Sequence, residues 1–376
     1  MKIAVVTSFP EEPGAPAGGV EAVSVNLVRA LSEFDDLKID VVTTKKNYHS
    51  FRKEKWEKVA IHRLPWAGGS MLGNAIGPGR RQIQDYLRKL QPDIIHAHDT
   101  YGMMVKGMDI PRVFTIHGFI YGDVLVSGTR FASLRSRIWR CFETSGWADQ
   151  QHIISISPYV RERLRGIATG TIYDIENPIS ESFFNIERNE QKGTIFCAAM
   201  ISPRKNTLAL VDSVAKLAAD NIDVTLRLAG SENDKDYVRQ VHNRLKQKRL
   251  EEKVFLLGSL DTVRIREELS AAGVFALTSL EENSPMGIEE AMAAGVPVVT
   301  SNRCGMPYMV RDGESGFLVD PENTNDIVRR LKQIFENDEL RHSMGAKGRE
   351  IAMDRFHPAK VAVRTREVYF RAVNGL

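Results

Sequence analysis

The sequence predicts an α/β protein built from two doubly wound, Rossmann-like domains. Short apolar runs alternate with helix-period segments along all 376 residues, a pattern typical of parallel sheets with helices on both faces. The chain is also too long for one ordinary hydrophobic core. A polar segment at residues 177–192 separates the two series and predicts a linker. We expect the two domains to face a cleft formed by the carboxyl ends of their strands.

The first series predicts a domain over residues 1–185. Its strand candidates are short runs rich in β-branched residues, and its helix candidates show a 3.6-residue apolar period. The predicted strands are residues 3–7, 39–43, 59–63, 94–97, 113–116, 152–155 and 171–175, and the predicted helices include residues 20–31, 83–90 and 158–164.

The second series predicts a domain over residues 186–355, followed by a separate helix over residues 356–376. The predicted strands are residues 194–198, 224–229, 254–257, 274–277, 296–300 and 316–319. The last helix carries five apolar residues that need a surface to cover, namely Val361, Val363, Val368, Tyr369 and Phe370.

Composition excludes several classes of protein. A net charge of +3 and 26% charged residues suit a soluble globular protein and are too weakly basic for a nucleic-acid binder. Cys141, Cys197 and Cys304 are few, distant and odd in number, which favours reduced thiols in the cytoplasm. The first residues are too short an apolar run for a signal peptide, and no stretch approaches the length of a membrane span.

The most informative pattern is a loop followed by a helix start. Ser284 is a favourable N-cap and Pro285 a favourable first helical residue, so a helix should begin between Glu282 and Glu290. Free amides at a helix start bind anions, and flanking carboxylates accept hydroxyl protons from sugar rings. The pattern indicates a site for a nucleoside-diphosphate sugar. The alternative is that these acids only complement the helix dipole.

The spacing Glu282-x7-Glu290, followed by Ala-Met-Ala-Ala-Gly-Val-Pro-Val-Val, resembles the donor site of retaining GT-B glycosyltransferases of family 4 (glycosyl transferases group 1). The resemblance implies that Glu290 holds the ribose hydroxyls, that Glu282 holds a hydroxyl of the transferred sugar, and that the base lies near Gly258. It assigns the phosphates to the amides of the loop, from Asn283 and Ser284 to Met286 and Gly287. In this family the last helix crosses back onto the first domain.

Two further segments resemble phosphate-binding elements of the family. Gly18 and Gly19 precede a helix and would lie beneath the donor diphosphate, although a simple tight turn is the alternative. Arg204 and Lys205 follow the first strand of the second domain, where their charges would stabilise a departing diphosphate unless they are only a surface basic pair. The lysine matches the family motif, whereas Met200 occupies the position of the family's arginine.

A histidine stands at the end of a strand in the first domain. His117, in Thr-Ile-His-Gly-Phe, is similar to the His-Gly motif of the family and would contact the transferred sugar or the acceptor. The alternative is a structural residue that caps the strand. His96 and His98 are candidate metal ligands on paper, but no third ligand accompanies them, so we expect no metal.

The resemblance covers nearly the whole chain and implies a retaining, metal-independent glycosyltransferase without a cofactor. It would move a hexose from a nucleoside-diphosphate sugar to a glycan or lipid-linked acceptor. A GT-B nucleotide-sugar epimerase and a catalytically idle sugar-nucleotide-binding protein remain alternatives. An NAD-dependent dehydrogenase is less consistent with the sequence, because no Gly-x-Gly-x-x-Gly follows the first strand.

Two basic segments contain aromatic residues. Residues 45–63 hold seven Lys/Arg against two Asp/Glu, together with Phe51 and Trp56. Residues 130–147 carry further arginines beside aromatic side chains, namely Arg130, Arg135, Arg137 and Arg140 with Phe131, Trp139, Phe142 and Trp147. We expect weak, salt-sensitive contact with anionic membranes. A solvated basic face over core aromatics, or a site for an acidic glycan, would look the same in sequence.

Overall fold

The structure is a computed structural model that describes residues 1–126 and 131–375. The chain divides into two compact units. Unit 1 comprises Met1–Pro178 and Pro358–Leu376, and unit 2 comprises Ile179–His357. Each unit is an α/β domain with its own sheet, which confirms the predicted fold class.

Unit 1 contains an eight-stranded sheet in the order β3-β4-β2-β1-β5-β6-β7-β8. Its strands are β1 (Lys2–Val6), β2 (Lys38–Thr44), β3 (Arg52–Trp56), β4 (Val59–Leu64), β5 (Ile94–His98), β6 (Arg112–Ile116), β7 (His152–Ser155) and β8 (Thr171–Asp174). Its helices are α1 (Gly19–Leu31), α2 (Met71–Ile76), α3 (Pro78–Leu90), α4 (Thr100–Met104), α5 (Ile120–Val126), α6 (Ala132–Trp147) and α7 (Pro158–Leu164).

Strand β3 is absent from the sequence prediction. It reads Arg-Lys-Glu-Lys-Trp, is largely exposed, and pairs antiparallel with β4 at the edge of the sheet. The other strand pairs of this sheet are parallel. A charged edge strand gains no apolar burial and discourages pairing with other chains, so its sequence carries no hydrophobic signal.

The last helix, α14 (Pro358–Asn374), belongs to unit 1. Val361, Val368 and Tyr369 are buried in the same core as strands β1 and β2. Val363 and Phe370 are exposed, so the expectation that they cover an apolar surface is wrong for these two. The chain therefore returns to unit 1 after completing unit 2. Within residues 1–126 and 131–375, no helix combines the length and the apolar character needed to cross a membrane.

Unit 2 contains a six-stranded parallel sheet in the order β11-β10-β9-β12-β13-β14. Its strands are β9 (Gln191–Ala198), β10 (Thr225–Ala229), β11 (Val254–Gly258), β12 (Ala272–Leu277), β13 (Val298–Ser301) and β14 (Gly316–Val319). Its α-helices are α8 (Thr207–Ala219), α9 (Lys235–Lys248), α10 (Thr262–Ala271), α11 (Met286–Ala293), α12 (Thr324–Glu336) and α13 (Asp338–Arg355).

The division between the units lies at Pro178 and Ile179, whereas the sequence-based boundary is 185/186. Residues 181–183 form a 3₁₀ turn, and Phe183 and Phe184 are buried in the core of unit 2. Because polar residues follow Phe183 and Phe184, the sequence pattern assigns this segment to the linker. Burial of two phenylalanines ties the segment to the second core.

Candidate functional site

The candidate site of unit 2 lies where two neighbouring strands end. Strands β9 and β12 are adjacent and parallel, so the loops that follow them leave the sheet at the same edge. Arg204 and Lys205 follow β9 in a 3₁₀ turn, and Glu282 follows β12. The backbone amide of Leu280 donates to the carbonyl of Arg204 at 2.8 Å, which holds the two loops together.

These three charged side chains form one cluster. The Lys205 ammonium donates to Glu282 Oε1, and Arg204 Nη1 lies 3.2 Å from the same oxygen. Arg204 Nη1 also donates to the carbonyl of Glu281 at 2.9 Å. Burial alone raises the pKa of Glu282, but Lys205 and Arg204 hold that pKa below its ordinary value. The site therefore contains two cations and one carboxylate.

The loop after Glu282 is fixed by a glycine on a neighbouring segment. A Cβ atom on Gly305 would lie 1.7 Å from the carbonyl oxygen of Asn283, so only glycine fits there. The amide of Gly305 donates to the carbonyl of Glu282 at 2.8 Å. Cys304 precedes it with a φ of 55°, in the left-handed region. The loop that follows Glu282 is thus held by backbone contacts with the segment at Gly305.

Helix α11 begins one residue later than the sequence predicts. Its N-cap is Pro285, and no side chain caps its first turn. The prediction that Ser284 is the N-cap is therefore wrong: its hydroxyl donates to Glu289 Oε1 at 2.7 Å, and this buried carboxylate competes for it. Met286, the first helical residue, is partly buried. The uncapped helix start presents backbone amides at the end of the β12 loop.

Glu290 differs from the other carboxylates of the loop. Its side chain is partly buried and has no hydrogen-bond or ion-pair partner within the described part of the chain. Burial raises its pKa to about 8. A carboxyl group that is desolvated but not paired is costly for the free protein, and it is available to a ligand that supplies hydroxyl donors.

Two glycines shape the surroundings. Gly258, at the end of β11, has a φ of 67°, and no atom lies within 4 Å of an ideal Cβ there. Its surface is therefore open to an approaching ring. Gly287, in the first turn of α11, lies tightly against β9 and β12, since its Cβ would be 3.1 Å from the Ala198 carbonyl and 3.0 Å from the Phe275 ring.

In unit 1 the glycine pair lies at the start of α1. Gly18 is the N-cap residue and Gly19 the first helical residue, with no side-chain cap. Glu21 organises this loop: it accepts from the Ala17 amide at 2.9 Å and pairs with Lys45. Despite burial, these contacts hold the pKa of Glu21 below its ordinary value. Lys45 is a partner that sequence reasoning did not identify.

His117 lies just after β6 with both ring nitrogens engaged. Its Nε2 is 2.9 Å from His98 Nδ1, and its Nδ1 is 3.1 Å from Asn177 Oδ1. Because the amide oxygen accepts, His117 Nδ1 carries the proton and Nε2 accepts from His98. Burial lowers the pKa of both histidines. His117 is therefore a neutral ring in a fixed orientation.

His96 is buried beside His98, with a distance of 4.4 Å between ring centroids. It contacts the Tyr369 hydroxyl and the Thr115 hydroxyl, each at 2.7 Å. Burial lowers its pKa to about 3. No group of three or more potential metal ligands occurs among the described residues.

Asp99 is a site residue that the sequence analysis did not select. It follows β5 directly and has a φ of 45°, a strained conformation for aspartate. Its carboxylate accepts from the amides of His117 and Gly118, at 2.8 and 3.3 Å. Its position immediately after a buried strand was a signal that could have identified it.

The aromatic residues of the two basic segments are partly in the core and partly at the surface, and the buried ones agree with the alternative of a solvated basic face over core aromatics. Trp139 and Trp147 are buried in the core of unit 1, so they are not surface aromatics. On α6 the exposed residues include Leu134, Ile138, Arg135, Arg137 and Arg140. Phe51 and Phe131 are also exposed, whereas Arg130 lies outside the described residues.

Two family models together match residues 17–351 of the chain. The model for Glycosyltransferase Family 4 matches residues 17–182, and the model for Glycosyl transferases group 1 matches residues 178–351. An uncharacterized glycosyltransferase of Methanocaldococcus jannaschii is 25% identical over 362 residues, which is 94% of either chain.

Solved structures share the fold. Sucrose-phosphate synthase from Thermosynechococcus elongatus superimposes with a TM-score of 0.86 at 20% identity over 100% of both chains. Anabaena HepE, solved in complex with UDP-glucose, gives a TM-score of 0.74 at 17% identity, again over 100% of both chains. At such identities these neighbours show the architecture.

Proposed function

Since the chain belongs to the glycosyltransferases that these two family models describe, we propose that it transfers a hexose from a nucleoside-diphosphate sugar, with retention of configuration, to a glycan or lipid-linked acceptor. The observation that carries this proposal is the cluster of Arg204, Lys205 and Glu282 beside the uncapped start of α11. Two cations and a helix start suit a diphosphate, and the carboxylates suit sugar hydroxyls.

The donor is proposed to lie along the carboxyl edge of the unit 2 sheet. Glu290 would accept the ribose hydroxyls, because its carboxyl group is desolvated and has no protein partner in the described part of the chain. The open surface at Gly258 would face the base. The amides of Met286 and Gly287, together with Asn283 and Ser284, would bind the phosphates.

The reaction follows from the charges. As the bond between the anomeric carbon and the phosphate oxygen breaks, negative charge grows on the diphosphate, and Lys205 and Arg204 stabilise it there. Glu282 orients these two cations and accepts a hydrogen bond from a hydroxyl group of the transferred sugar. The acceptor oxygen forms the new bond on the same face, and its proton passes to the departing diphosphate. This course requires neither a metal nor a covalent intermediate.

The role proposed for unit 1 is to bind and orient the acceptor. Gly18 and Gly19 offer an uncapped helix start, with Glu21 and Lys45 fixing the loop. His117 would contribute a neutral ring in a fixed orientation, because Asn177 and His98 engage its nitrogens. Its charge would not change during turnover at neutral pH.

The test is turnover of a panel of UDP-, GDP- and ADP-sugars, with nucleotide release and sugar product measured with and without glycan or lipid-linked acceptors. Acceptor-dependent release that yields an α-linked product from an α-linked donor supports the proposal. Conversion of the donor sugar without an acceptor would indicate the epimerase. Binding of nucleotide without any turnover would indicate an idle binding protein.

A further inference from the structure

A second pocket lies on one face of unit 1. It has a volume of about 300 Å³ and is lined by Ile76, Arg80, Met103, Lys106, Phe142, Ser145 and Gly146. These residues belong to the segments that follow β4, β5 and β6. The volume suits a small organic molecule.

The pocket joins two cations to an apolar wall. Arg80 Nη2 donates to the Lys106 carbonyl at 2.8 Å, and Lys106 Nζ donates to the Ser145 carbonyl and hydroxyl at 3.1 and 2.7 Å. Neither cation has a carboxylate partner in the described part of the chain. Ile76 is 39% exposed beside them, and Phe142 is partly buried. The positive charges are thus oriented by neutral oxygens and remain uncompensated.

The inner wall of this pocket leads toward the strand ends. Met103 and Gly146 also line a cavity of about 10 Å³ that reaches Asp99 and Gly118. The pocket and this small cavity therefore share Met103 and Gly146 as a common wall.

We propose that this pocket binds an organic phosphate that carries an apolar chain. The phosphate would accept from Arg80 and Lys106, and the chain would cover Ile76 and Phe142. This binding does not depend on the function proposed above.

Titration calorimetry of the full chain with monomeric hexyl phosphate tests the proposal. The double variant Arg80→Gln/Lys106→Gln is expected to bind it roughly tenfold or more weakly, because charged hydrogen bonds are lost. Arg81→Gln is the matched control, because Arg81 follows Arg80 on α3 and is exposed. This variant should change the affinity for hexyl phosphate by less than about twofold. Hexyl glucoside and inorganic phosphate should each bind more weakly than hexyl phosphate.

A second measurement uses the unaltered protein. Hexyl phosphate should slow acylation of Lys106 but leave that of Lys89, an exposed lysine on α3, unchanged. Equal binding of hexyl glucoside, unchanged binding by the double variant, absence of Lys106 protection, or binding only to anionic vesicles would overturn the proposal. UDP titration of the same samples separates the two ideas: if UDP binds but hexyl phosphate does not, the pocket assignment fails and the donor site survives.

Discussion

The polar residues at the strand ends of the two units are chemically opposite. In unit 1, His96 and His98 are buried and His117 is partly buried, and all three are neutral rings in short hydrogen-bonded chains. In unit 2, Lys205 and Glu282 are charged, and an uncapped helix start lies beside them. Two domains of the same architecture therefore provide different electrostatic environments. Binding and release of a diphosphate suit unit 2, while unit 1 can orient groups without changing charge.

The largest expected effect concerns the charge of unit 2. Lys205→Ala should lower turnover by about 100- to 1,000-fold while changing the donor KM much less, because its charge is needed most when the diphosphate departs. Initial rates of nucleotide release measure both constants. Lys192→Ala, which removes an exposed lysine paired with Asp338 at 2.9 Å, is the control in the same unit. A rise in KM at unchanged turnover would give Lys205 a role in ground-state binding alone.

The next effect tests the unpaired carboxyl of unit 2. Glu290→Ala should weaken binding of the nucleoside diphosphate by about 1.5 to 3 kcal/mol, because the ribose loses a charged acceptor. Calorimetry measures the affinity. An unchanged affinity would remove Glu290 from the site.

The pH dependence sharpens this prediction. Because the pKa of Glu290 lies near about 8, the free protein carries its proton at neutral pH, and ribose binding to the carboxylate requires its release. Affinity should rise with pH from about 7 to 8 and level off above, where the phosphates are already ionised. Glu290→Gln should remove this rise, and a rise that persists in Glu290→Gln would assign it to another group.

Because its histidines are neutral in the folded state, unit 1 should lose more folding stability than unit 2 as the pH falls. Their folded-state pKa values lie below about 6.5, the value expected in the unfolded chain, so their stabilisation is complete above that pH and is lost as pH falls. For His96, the free energy of unfolding should fall by about 1.4 kcal/mol for each pH unit below about 6.5. Glu143 opposes this loss. Burial raises its pKa to about 7, so its protonation as the pH falls below that value stabilises the folded state.

Hydrogen exchange resolved by peptide checks this difference. Between about pH 7 and 5, and after correction for intrinsic exchange rates, β5 and β6 should lose more protection than β9 and β12. No histidine of unit 2 is fully buried within the described residues. Equal losses in the two units would mean that the histidines do not control acid stability.

The smallest effect concerns the surface of unit 1. We expect weak binding to anionic vesicles at low salt, with about 1 kcal/mol from each basic residue near the lipid surface. Liposome flotation should detect it, and neutralising Arg135, Arg137 and Arg140 on α6 should abolish it. Binding that does not respond to these changes, or no binding at low salt, would leave unit 1 without a membrane role.

The sequence by itself determined the two α/β domains and selected the loop after β12 as a candidate binding site. Strands such as β9 and β12 are short apolar runs, because a strand covered on both faces must be apolar along its length. The pattern around Glu282 and Glu290 can be read locally, because the residues that favour a helix start are close together in sequence. Such features need no knowledge of distant contacts.

Tertiary structure decided the rest. The pairing of Lys205 with Glu282 joins residues far apart in sequence, and only the adjacency of β9 and β12 brings them together. The same holds for the contact between His117 and Asn177. Edge strand β3 is charged and has no apolar pattern that the sequence could reveal. The Ser284 hydroxyl donates to Glu289 and does not cap the helix, because a buried carboxylate requires a hydrogen-bond donor. Local propensity sets elements, whereas burial decides which polar groups must meet.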